Sequence, residues 1–256
     1  MRPIISLDHV SFAYGGTPVL EDVSLDVFEH DFLGIIGPNG GGKTTLLKVM
    51  LGLLMPDSGR VTIKGGAPRE YRMSIGYVPQ YRTFDFNFPV RVLDIVLMGR
   101  LGHIRGPFRK YSRRDREIAI DALHAMGIAD LAGRQVDSMS GGQQQKVILA
   151  RALASEPEVL LLDEPTNHID VRTEEHFFGI LKELHEHMAI VVVSHDIGAI
   201  STHVDRVACL NRRLFTHDSG EITGSMLAET YQCPIELIAH GIPHRVLADH
   251  DGGGKQ

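Results

Sequence analysis

A glycine-rich stretch near the beginning of the chain constrains its fold more than any other feature: residues 37–45 read GPNGGGKTT. The stretch fits the pattern G-x-x-x-x-G-K-[ST], in which backbone N–H groups surround phosphate oxygens. The apolar run Phe32–Ile36 before it reads as a buried strand, and Thr44–Leu51 after it reads as a helix. A strand, a glycine loop and a helix in this order predict a phosphate-binding site rather than an ordinary glycine-rich turn.

The residue types of this loop have separate predicted tasks. Glycines can adopt positive φ and let the backbone approach phosphate oxygens. Lys43 is expected to reach the β- and γ-phosphates of a nucleotide, and the Thr44 hydroxyl is expected to bind Mg²⁺. The predicted nucleotide-contacting residues of the loop are Gly37, Pro38, Asn39, Gly40, Gly41, Gly42, Lys43, Thr44 and Thr45.

A second apolar run, Val159–Leu162, ends in the neighbouring carboxylates Asp163 and Glu164. Ligands of open α/β sheets bind at the carboxyl ends of the strands. Neighbouring side chains at a strand end point in different directions, so Asp163 can serve Mg²⁺ while Glu164 faces the attacking water as general base. Alone, the run could also be a core strand that ends in a solvated acidic turn, but the phosphate loop upstream favours the catalytic interpretation.

Two further polar residues follow strand-like segments and are predicted to be catalytic. His195 follows the run Val191–Val193 and is expected to reach the γ-phosphate, although a lone histidine at a strand end is more often structural. Gln80 follows Ile75–Val78 and is expected to contact Mg²⁺ and to link the γ-phosphate to a helical block. The alternative for Gln80 is an ordinary surface glutamine.

Apolar periodicity predicts an α/β fold. Helical spacing takes over from about residue 90 to residue 154, where Ser112 is expected to cap a helix. Strands alternate with helices on either side of this block, which predicts a parallel sheet with crossover helices. The predicted strands besides those at 32–36 and 159–162 are Val10–Tyr14, Val23–Val27, Val61–Ile63, Ile75–Val78 and Ala189–Ser194.

Composition argues against several classes of protein. The net charge of −6 predicts no general attraction to nucleic acid. Cys209 and Cys233 lie far from any CxxC spacing, so neither a disulfide nor a zinc framework is expected, and a reducing cytoplasm is the default. The aliphatic runs are too short to span a bilayer and no signal peptide is recognised, so any work at a membrane is expected to go through a partner.

Two groups of charged or titratable residues carry weaker expectations. The basic residues between Arg100 and Arg116 are expected to form a solvated face, with contact to an anionic membrane surface as a weaker alternative. Four histidines fall late in the chain. Ordinary surface positions are favoured for them over a metal site, because Gly241 and Pro243 interrupt helical spacing. They are His217, His240, His244 and His250.

The stretch Ser140-Gly141-Gly142-Gln143-Gln144 places a serine and two glycines at the start of a helix, which predicts a second anion site. Together with the phosphate loop and the acidic strand end, it resembles the ATP-binding cassette (ABC) ATPases over nearly the whole chain. Met139 and Ile169 stand where leucine is usual. The resemblance implies that Ser140, Gly141, Gly142 and Gln143 bind ATP held by another copy of the chain. It further implies that Tyr14, otherwise an edge or core tyrosine, stacks on adenine, and that Asp170 in Asn167–Asp170 signals across the dimer.

The resemblance also implies an architecture. A P-loop NTPase core is expected over residues 1–230, with an N-terminal antiparallel β subdomain and an α-helical subdomain inserted at about 90–154. A C-terminal tail, residues 231–256, is expected to be partly flexible. Two copies are expected to form a homodimer around two ATP·Mg²⁺.

Asp85–Arg100 and Cys233–Leu247 look like the zinc/manganese-uptake branch of the family. This likeness implies an ATPase subunit at the cytoplasmic face of the membrane, bound to integral-membrane permease subunits. A periplasmic or surface metal-binding protein is an indirect partner. Among Phe84, Phe86 and Phe88, at least one is expected to contact the permease, the alternative being that all three pack inward.

Two alternatives to metal import stay open: a soluble ABC ATPase of iron–sulfur cofactor assembly, and an importer of another substrate such as an iron chelate. A chromosome-maintenance ABC ATPase is excluded because no long coiled-coil heptads separate the two halves. A single-site kinase-type enzyme leaves Ser140–Gln143 unexplained. The sequence does not select the metal, because its ligands belong to other chains.

Overall fold

The computed structural model describes residues 2–80, 89–104, 110–166, 171–196, 198, 200, 202–217, 235–240 and 242–247. Its first sheet is antiparallel, with the strand order β2-β1-β4. These strands are β1 (Ile5–Tyr14), β2 (Thr17–Val27) and β4 (Ser58–Ile63). Apolar residues alternate along them with exposed polar ones, so the sheet has one buried face and one solvated face.

The second sheet has six strands in the order β5-β6-β7-β3-β8-β9. The strands from β5 to β8 in that order are parallel. The sequence predicts a parallel sheet. β9 pairs antiparallel with β8, so the observed sheet is mixed. The strands are β3 (Phe32–Ile36), β5 (Ile75–Val78), β6 (Val159–Asp163), β7 (Ala189–Ser194), β8 (Arg206–Asn211) and β9 (Arg213–His217).

Five α-helices complete the described part of the fold, and α2 to α4 form the inserted helical subdomain that the sequence predicts. Within the described residues, no helix combines the length and the apolar character needed to cross a bilayer. The helices are α1 (Lys43–Met50), α2 (Val92–Leu97), α3 (Arg113–Ala125), α4 (Gly141–Leu153) and α5 (Val171–His185).

The central strands β3, β6 and β7 are buried along their whole length, which explains their continuous apolar sequences. Their alternate residues enter two separate cores. Leu160 and Leu162 of β6 pack in the core that contains α2 to α4, whereas Val159 and Leu161 pack in the core that contains α1 and the antiparallel sheet. The six-stranded sheet therefore forms the common wall between the two subdomains.

The late part of the chain contains an antiparallel pair, β10 (Ile235–His240) and β11 (Ile242–Leu247). In this pair His244 lies opposite Ile238, and His240 lies opposite Ile242. The pair falls within the predicted tail. The division of the chain at residue 230 stays a prediction.

Arg100 does not belong to the solvated basic face that the sequence predicts, because it is only 5% exposed. Its Nε donates to Asp115 Oδ1 at 3.0 Å, and its Nη1 donates to Ala154 O at 2.9 Å and to Glu156 Oε2 at 2.7 Å. The arginine thus joins the start of α3 to the end of α4. Its guanidinium has enough donors for the buried Asp115, the half-exposed Glu156 and a backbone carbonyl together, whereas a lysine in the same place would offer fewer.

Ser112 caps α3 as predicted, in a capping box with Asp115. Hydrogen bonds from the Ser112 side chain and backbone, followed by the Arg100 guanidinium, lower the pKa of Asp115 to about 2. Arg113, the residue after Ser112, is exposed and pairs with Glu117 across one helical turn. The predicted solvated face therefore holds for Arg113, while Arg105 and Arg109 lie outside the described residues.

Replacing Arg100 with methionine should lower the free energy of unfolding by about 3 kcal/mol, because it leaves a buried carboxylate without its guanidinium partner. The matched control is Arg113→Met, whose exposed pair should contribute less than about 0.5 kcal/mol. Urea unfolding of the purified proteins at neutral pH measures both changes. Equal effects of the two substitutions would contradict a buried ion pair at Arg100.

Candidate functional site

The loop between β3 and α1 presses against two other strands. The backbone at Gly42 has φ of 99°, and a Cβ placed there would lie 2.7 Å from Val19 O on β2. A Cβ at Gly37 would collide with Leu210 O on β8. Side chains at these positions would fill or distort the loop, which explains its glycines. α1 begins without a side-chain cap, so the N–H groups of its first turn remain for an anion.

Lys43 is the first residue of α1, and its side chain folds back onto this loop, so that the residue is 6% exposed. Its Nζ donates to Gly37 O at 2.9 Å and to Pro38 O at 3.0 Å, and lies 3.6 Å from Glu164 Oε1. Burial lowers the pKa of Lys43, and the Glu164 carboxylate opposes that shift. The two loop carbonyls therefore hold the ammonium group of Lys43 in place. In a nucleotide complex, phosphate oxygens would take over as its partners.

Asp163 ends β6 and is 1% exposed. Its Oδ1 accepts a hydrogen bond from Thr44 Oγ1 at 3.1 Å, and its Oδ2 accepts one from the Tyr77 hydroxyl at 3.4 Å. Burial raises the pKa of Asp163, and the Thr44 hydroxyl partly offsets this. A hydroxyl and a carboxylate at this separation are the hard oxygen ligands that Mg²⁺ prefers, so the residues fit that ion.

Glu164 follows Asp163 in a left-handed backbone conformation, with φ of 48°. Its N–H donates to Val193 O at 2.9 Å, so the pairing with β7 continues for one hydrogen bond past β6, and the chain bends at Glu164 itself. Such a conformation costs a non-glycine residue about 1–3 kcal/mol. The bend gives the two adjacent carboxylates different neighbours, as the sequence predicts.

Three polar side chains surround the Glu164 carboxylate. Gln80 Nε2 donates to Glu164 Oε2 at 2.9 Å, and His195 Nδ1 lies 3.4 Å from Oε1, which also faces Lys43. The Glu164 side chain is 10% exposed, whereas that of His195 is 45% exposed. The structure thus brings together the residues proposed to act on the γ-phosphate. Their catalytic roles stay predictions.

These groups border a cavity of about 650 Å³, within the size range of small-molecule sites. Cationic, hydroxyl, amide and backbone donors dominate its lining, as a triphosphate requires. Two predicted loop residues, Gly37 and Pro38, contribute carbonyls to Lys43 instead, and Gly41 approaches Leu210. The lining residues are Val19, Asn39, Gly40, Gly42, Lys43, Thr44, Thr45, Gln80, Glu164 and His195.

Ser140 caps α4, and both it and Gly141 are exposed. Its Oγ accepts from the Gln143 N–H at 3.4 Å, and Gln143 Oε1 accepts from the Ser140 N–H at 3.1 Å. The residues 140–143 are absent from the lining of the cavity. One chain therefore presents the phosphate loop and the α4 cap as two separate surfaces.

Of the two other predicted nucleotide contacts, the structure describes Tyr14, which does not line the cavity. Tyr14 is 47% exposed at the end of β1. Its ring contacts that of Phe12 edge to face, with 4.8 Å between the ring centroids. Val19 of the next strand lines the cavity instead. Asp170, with the rest of Asn167–Asp170, lies outside the described residues, as do Phe84, Phe86 and Phe88.

Sequence reasoning assigned no role to Val19 or Tyr77. Val19 gives no signal of its own, because its position depends on how β2 crosses the phosphate loop. Tyr77 gives a signal only once the strand order is known, because a tyrosine near the end of a strand that neighbours an acidic strand end can reach it. The part of the chain that the structure describes contains no group of three or more histidine, cysteine, aspartate or glutamate residues suited to hold a metal ion.

Comparison with known proteins places these residues in context. The sequence profile of the family described as ABC transporter matches residues 20–167, a stretch that includes Lys43 and Ser140 but not His195. The manganese transport system ATP-binding protein MntB of Bacillus subtilis is 43% identical over 210 residues, 82% of this chain and 84% of that protein. The zinc uptake system ATP-binding protein ZurA of Listeria monocytogenes is 36% identical over 244 residues, 93% of each.

Solved structures share the fold over most of the chain. A metal-chelate type ABC transporter in an inward-facing conformation matches with a TM-score of 0.84 at 30% identity, over 96% of this chain and 97% of that one. A dimeric ATP-binding cassette in a post-hydrolysis state, bound to ADP and Pi, matches with a TM-score of 0.72 at 29% identity. That match covers 86% of this chain and all of the other.

Replacing Asp163 with asparagine should raise the free energy of unfolding by about 1 kcal/mol in EDTA without nucleotide, because a neutral amide avoids the cost of burying a charge. Burial raises the pKa of Asp163, so this cost is present above that pKa and disappears as the parent takes up a proton. The gap between variant and parent should therefore narrow on acidification. Urea unfolding at several pH values measures it.

The matched control is Asp130→Asn, which removes an exposed carboxylate and should change the free energy of unfolding by less than about 0.5 kcal/mol. A loss of stability in Asp163→Asn at neutral pH would show that the charge of Asp163 stabilises the fold.

Proposed function

Because this chain belongs to the ABC transporter family, we propose that it is the ATP-hydrolysing subunit of an importer that takes up a divalent metal ion, manganese or zinc. The observation that carries the enzymatic part is the Glu164 carboxylate, which Gln80, His195 and Lys43 surround at the phosphate-loop cavity. The manganese and zinc transport systems named for its relatives support the choice of cargo.

Each residue of the site has one task in the proposed reaction. Lys43 and the loop N–H groups bind the β- and γ-phosphates, and Glu164 accepts a proton from the attacking water. The water oxygen bonds to the γ-phosphorus while the bond from that phosphorus to the β–γ bridging oxygen breaks, which yields ADP and inorganic phosphate. His195 contacts the γ-phosphate from the end of β7.

Thr44, Asp163 and Gln80 are the residues that would hold Mg²⁺. The bound ion would neutralise charge on the phosphate oxygens during transfer. Gln80 is hydrogen-bonded to Glu164, so its amide lies between the proposed base and the segment that enters the helical subdomain. This position suits a residue that reports the state of the nucleotide to the helices.

Each complete site is proposed to need a second copy of the chain. ABC cassettes form dimers, as in the dimeric relative with ADP and Pi. In the proposed dimer, Ser140, Gly141, Gly142 and Gln143 of one copy close over ATP on the phosphate loop of the other. The exposure of Ser140 and Gly141, away from the cavity of their own chain, supports this arrangement.

The proposed complex lies at the cytoplasmic face of the membrane. Closure of the dimer there pulls on the integral-membrane permease subunits. A periplasmic or surface metal-binding protein would deliver the ion to the permease from the other side. A second candidate cargo is a metal chelate, favoured by the metal-chelate type transporter that shares the fold at 30% identity.

Uptake of radioactive manganese, zinc and a ferric chelate, measured in cells that carry the parent chain or Glu164→Gln, tests the proposal. The purified variant should bind ATP but hydrolyse it roughly 10²–10⁴-fold more slowly, because an amide cannot accept the proton of water. The same cells should lose uptake of manganese or zinc.

Glu158→Gln is the control for this substitution, because Glu158 is a half-exposed carboxylate paired with Lys64. It should leave both hydrolysis and uptake at the parent level. If the Glu164→Gln cells lost uptake of the ferric chelate alone, the cargo would be a metal chelate rather than free manganese or zinc. Unchanged uptake of all three would contradict a transport function.

Ser140→Arg should block the dimer while leaving ATP binding by the monomer intact, because the added cation fills the place of the partner's γ-phosphate. The change is best made in Glu164→Gln, where ATP and Mg²⁺ should turn monomer into dimer in analytical ultracentrifugation. Ser138→Arg, an exposed position two residues earlier, is the control and should still dimerise. A dimer that forms with Ser140→Arg would contradict the composite site.

A further inference from the structure

Tyr77 lies where a long polar side chain can reach the end of the neighbouring strand. β5 and β6 are parallel, and Tyr77 lies opposite Leu161 in their register. Asp163 follows Leu161 by two residues, so all three side chains project from the same face of the sheet. Diagonal neighbours of this kind lie about 7–8 Å apart at the backbone, a distance that an aromatic side chain spans.

The packing around Tyr77 agrees with this register. Leu161 belongs to the core shared with α1, and the half-buried Tyr77 ring packs against the same core. Val78, the next residue of β5, belongs to the opposite core with the helical subdomain. The ring is thus held on the side of the sheet where α1 presents Thr44.

The two oxygens of the Asp163 carboxylate have different partners. Oδ1 accepts from Thr44, a residue that lines the cavity, and Oδ2 accepts from Tyr77, a residue that does not. Among the described residues, the Tyr77 hydroxyl is the hydrogen-bond donor for Oδ2. A buried acceptor that loses its donor is destabilised, and the last side-chain torsion of an aspartate is otherwise only weakly restricted.

We propose that Tyr77 is a positioning residue for Mg²⁺: its hydroxyl fixes the rotation of the Asp163 carboxylate so that Oδ1 stays beside the Thr44 hydroxyl. This inference rests on the proposed ATP·Mg²⁺ function of the site. Tyr77 does not line the cavity, so it would act through Asp163. Outer partners of this kind orient the groups that bind a metal and tune their affinity for it.

Tyr77→Phe keeps the ring in the core and removes only the hydroxyl. The affinity for a fluorescent, non-hydrolysable ATP analogue is measured in EDTA and over a series of Mn²⁺ concentrations. We expect unchanged affinity in EDTA, while the Mn²⁺ concentration that gives half of the metal-dependent gain rises about tenfold. In steady-state hydrolysis, half-saturation by Mg²⁺ should shift upward while kcat at saturating Mg²⁺ is retained.

Tyr71→Phe is the matched control, because Tyr71 is another half-buried tyrosine against the same core and has no hydrogen bond to Asp163. It should behave as the parent does in both measurements. An unshifted Mn²⁺ midpoint in Tyr77→Phe would overturn the inference. A loss of nucleotide affinity that is as large in EDTA as in Mn²⁺ would also overturn it, because it would indicate that Tyr77 acts through packing. A parent chain with no metal-dependent gain would overturn the proposed ATP·Mg²⁺ site as well.

Discussion

The parallel pairing of β3, β7 and β6 is the constraint on which the rest of the structure depends. Ile36 at the end of β3 lies opposite Ser194, and Val193 lies opposite Asp163, so the three strands end at one edge of the sheet. Each then delivers a different polar group there: the phosphate loop after β3, His195 after β7 and the carboxylates after β6. Many polar side chains meet at this one place because the residues that carry them, though distant in sequence, follow strands that end side by side.

Much of this arrangement could be predicted from the sequence, because strands buried on both faces have continuous apolar runs. Phe32–Ile36, Ile75–Val78 and Ala189–Ser194 match the observed strands residue for residue. The role of Arg100 could not, because its carboxylate partners come from other elements that only packing brings near. The Tyr77–Asp163 contact was missed because it depends on which strand neighbours β6.

The helix α4 runs from the exposed cap at Ser140 to the buried ion-pair network of Arg100. Its N-terminus presents the exposed Ser140 cap, and the carbonyl of Ala154 at its C-terminus accepts a hydrogen bond from Arg100. Most of the residues between these ends are buried against the helical subdomain and the sheet. The helix is therefore anchored at one end and along its length, while the other end remains exposed, as the proposed dimer requires.

The left-handed backbone at Glu164 has a consequence for the choice of side chain there. Glycine and asparagine enter this conformation at little cost, whereas glutamate enters it against its local preference. The surrounding contacts, including the hydrogen bond to Val193 O, hold the backbone in place whichever residue occupies it. A sequence optimised for folding alone would therefore choose a different residue at 164; if Glu164 has the proposed catalytic role, the glutamate represents stability given up for chemistry.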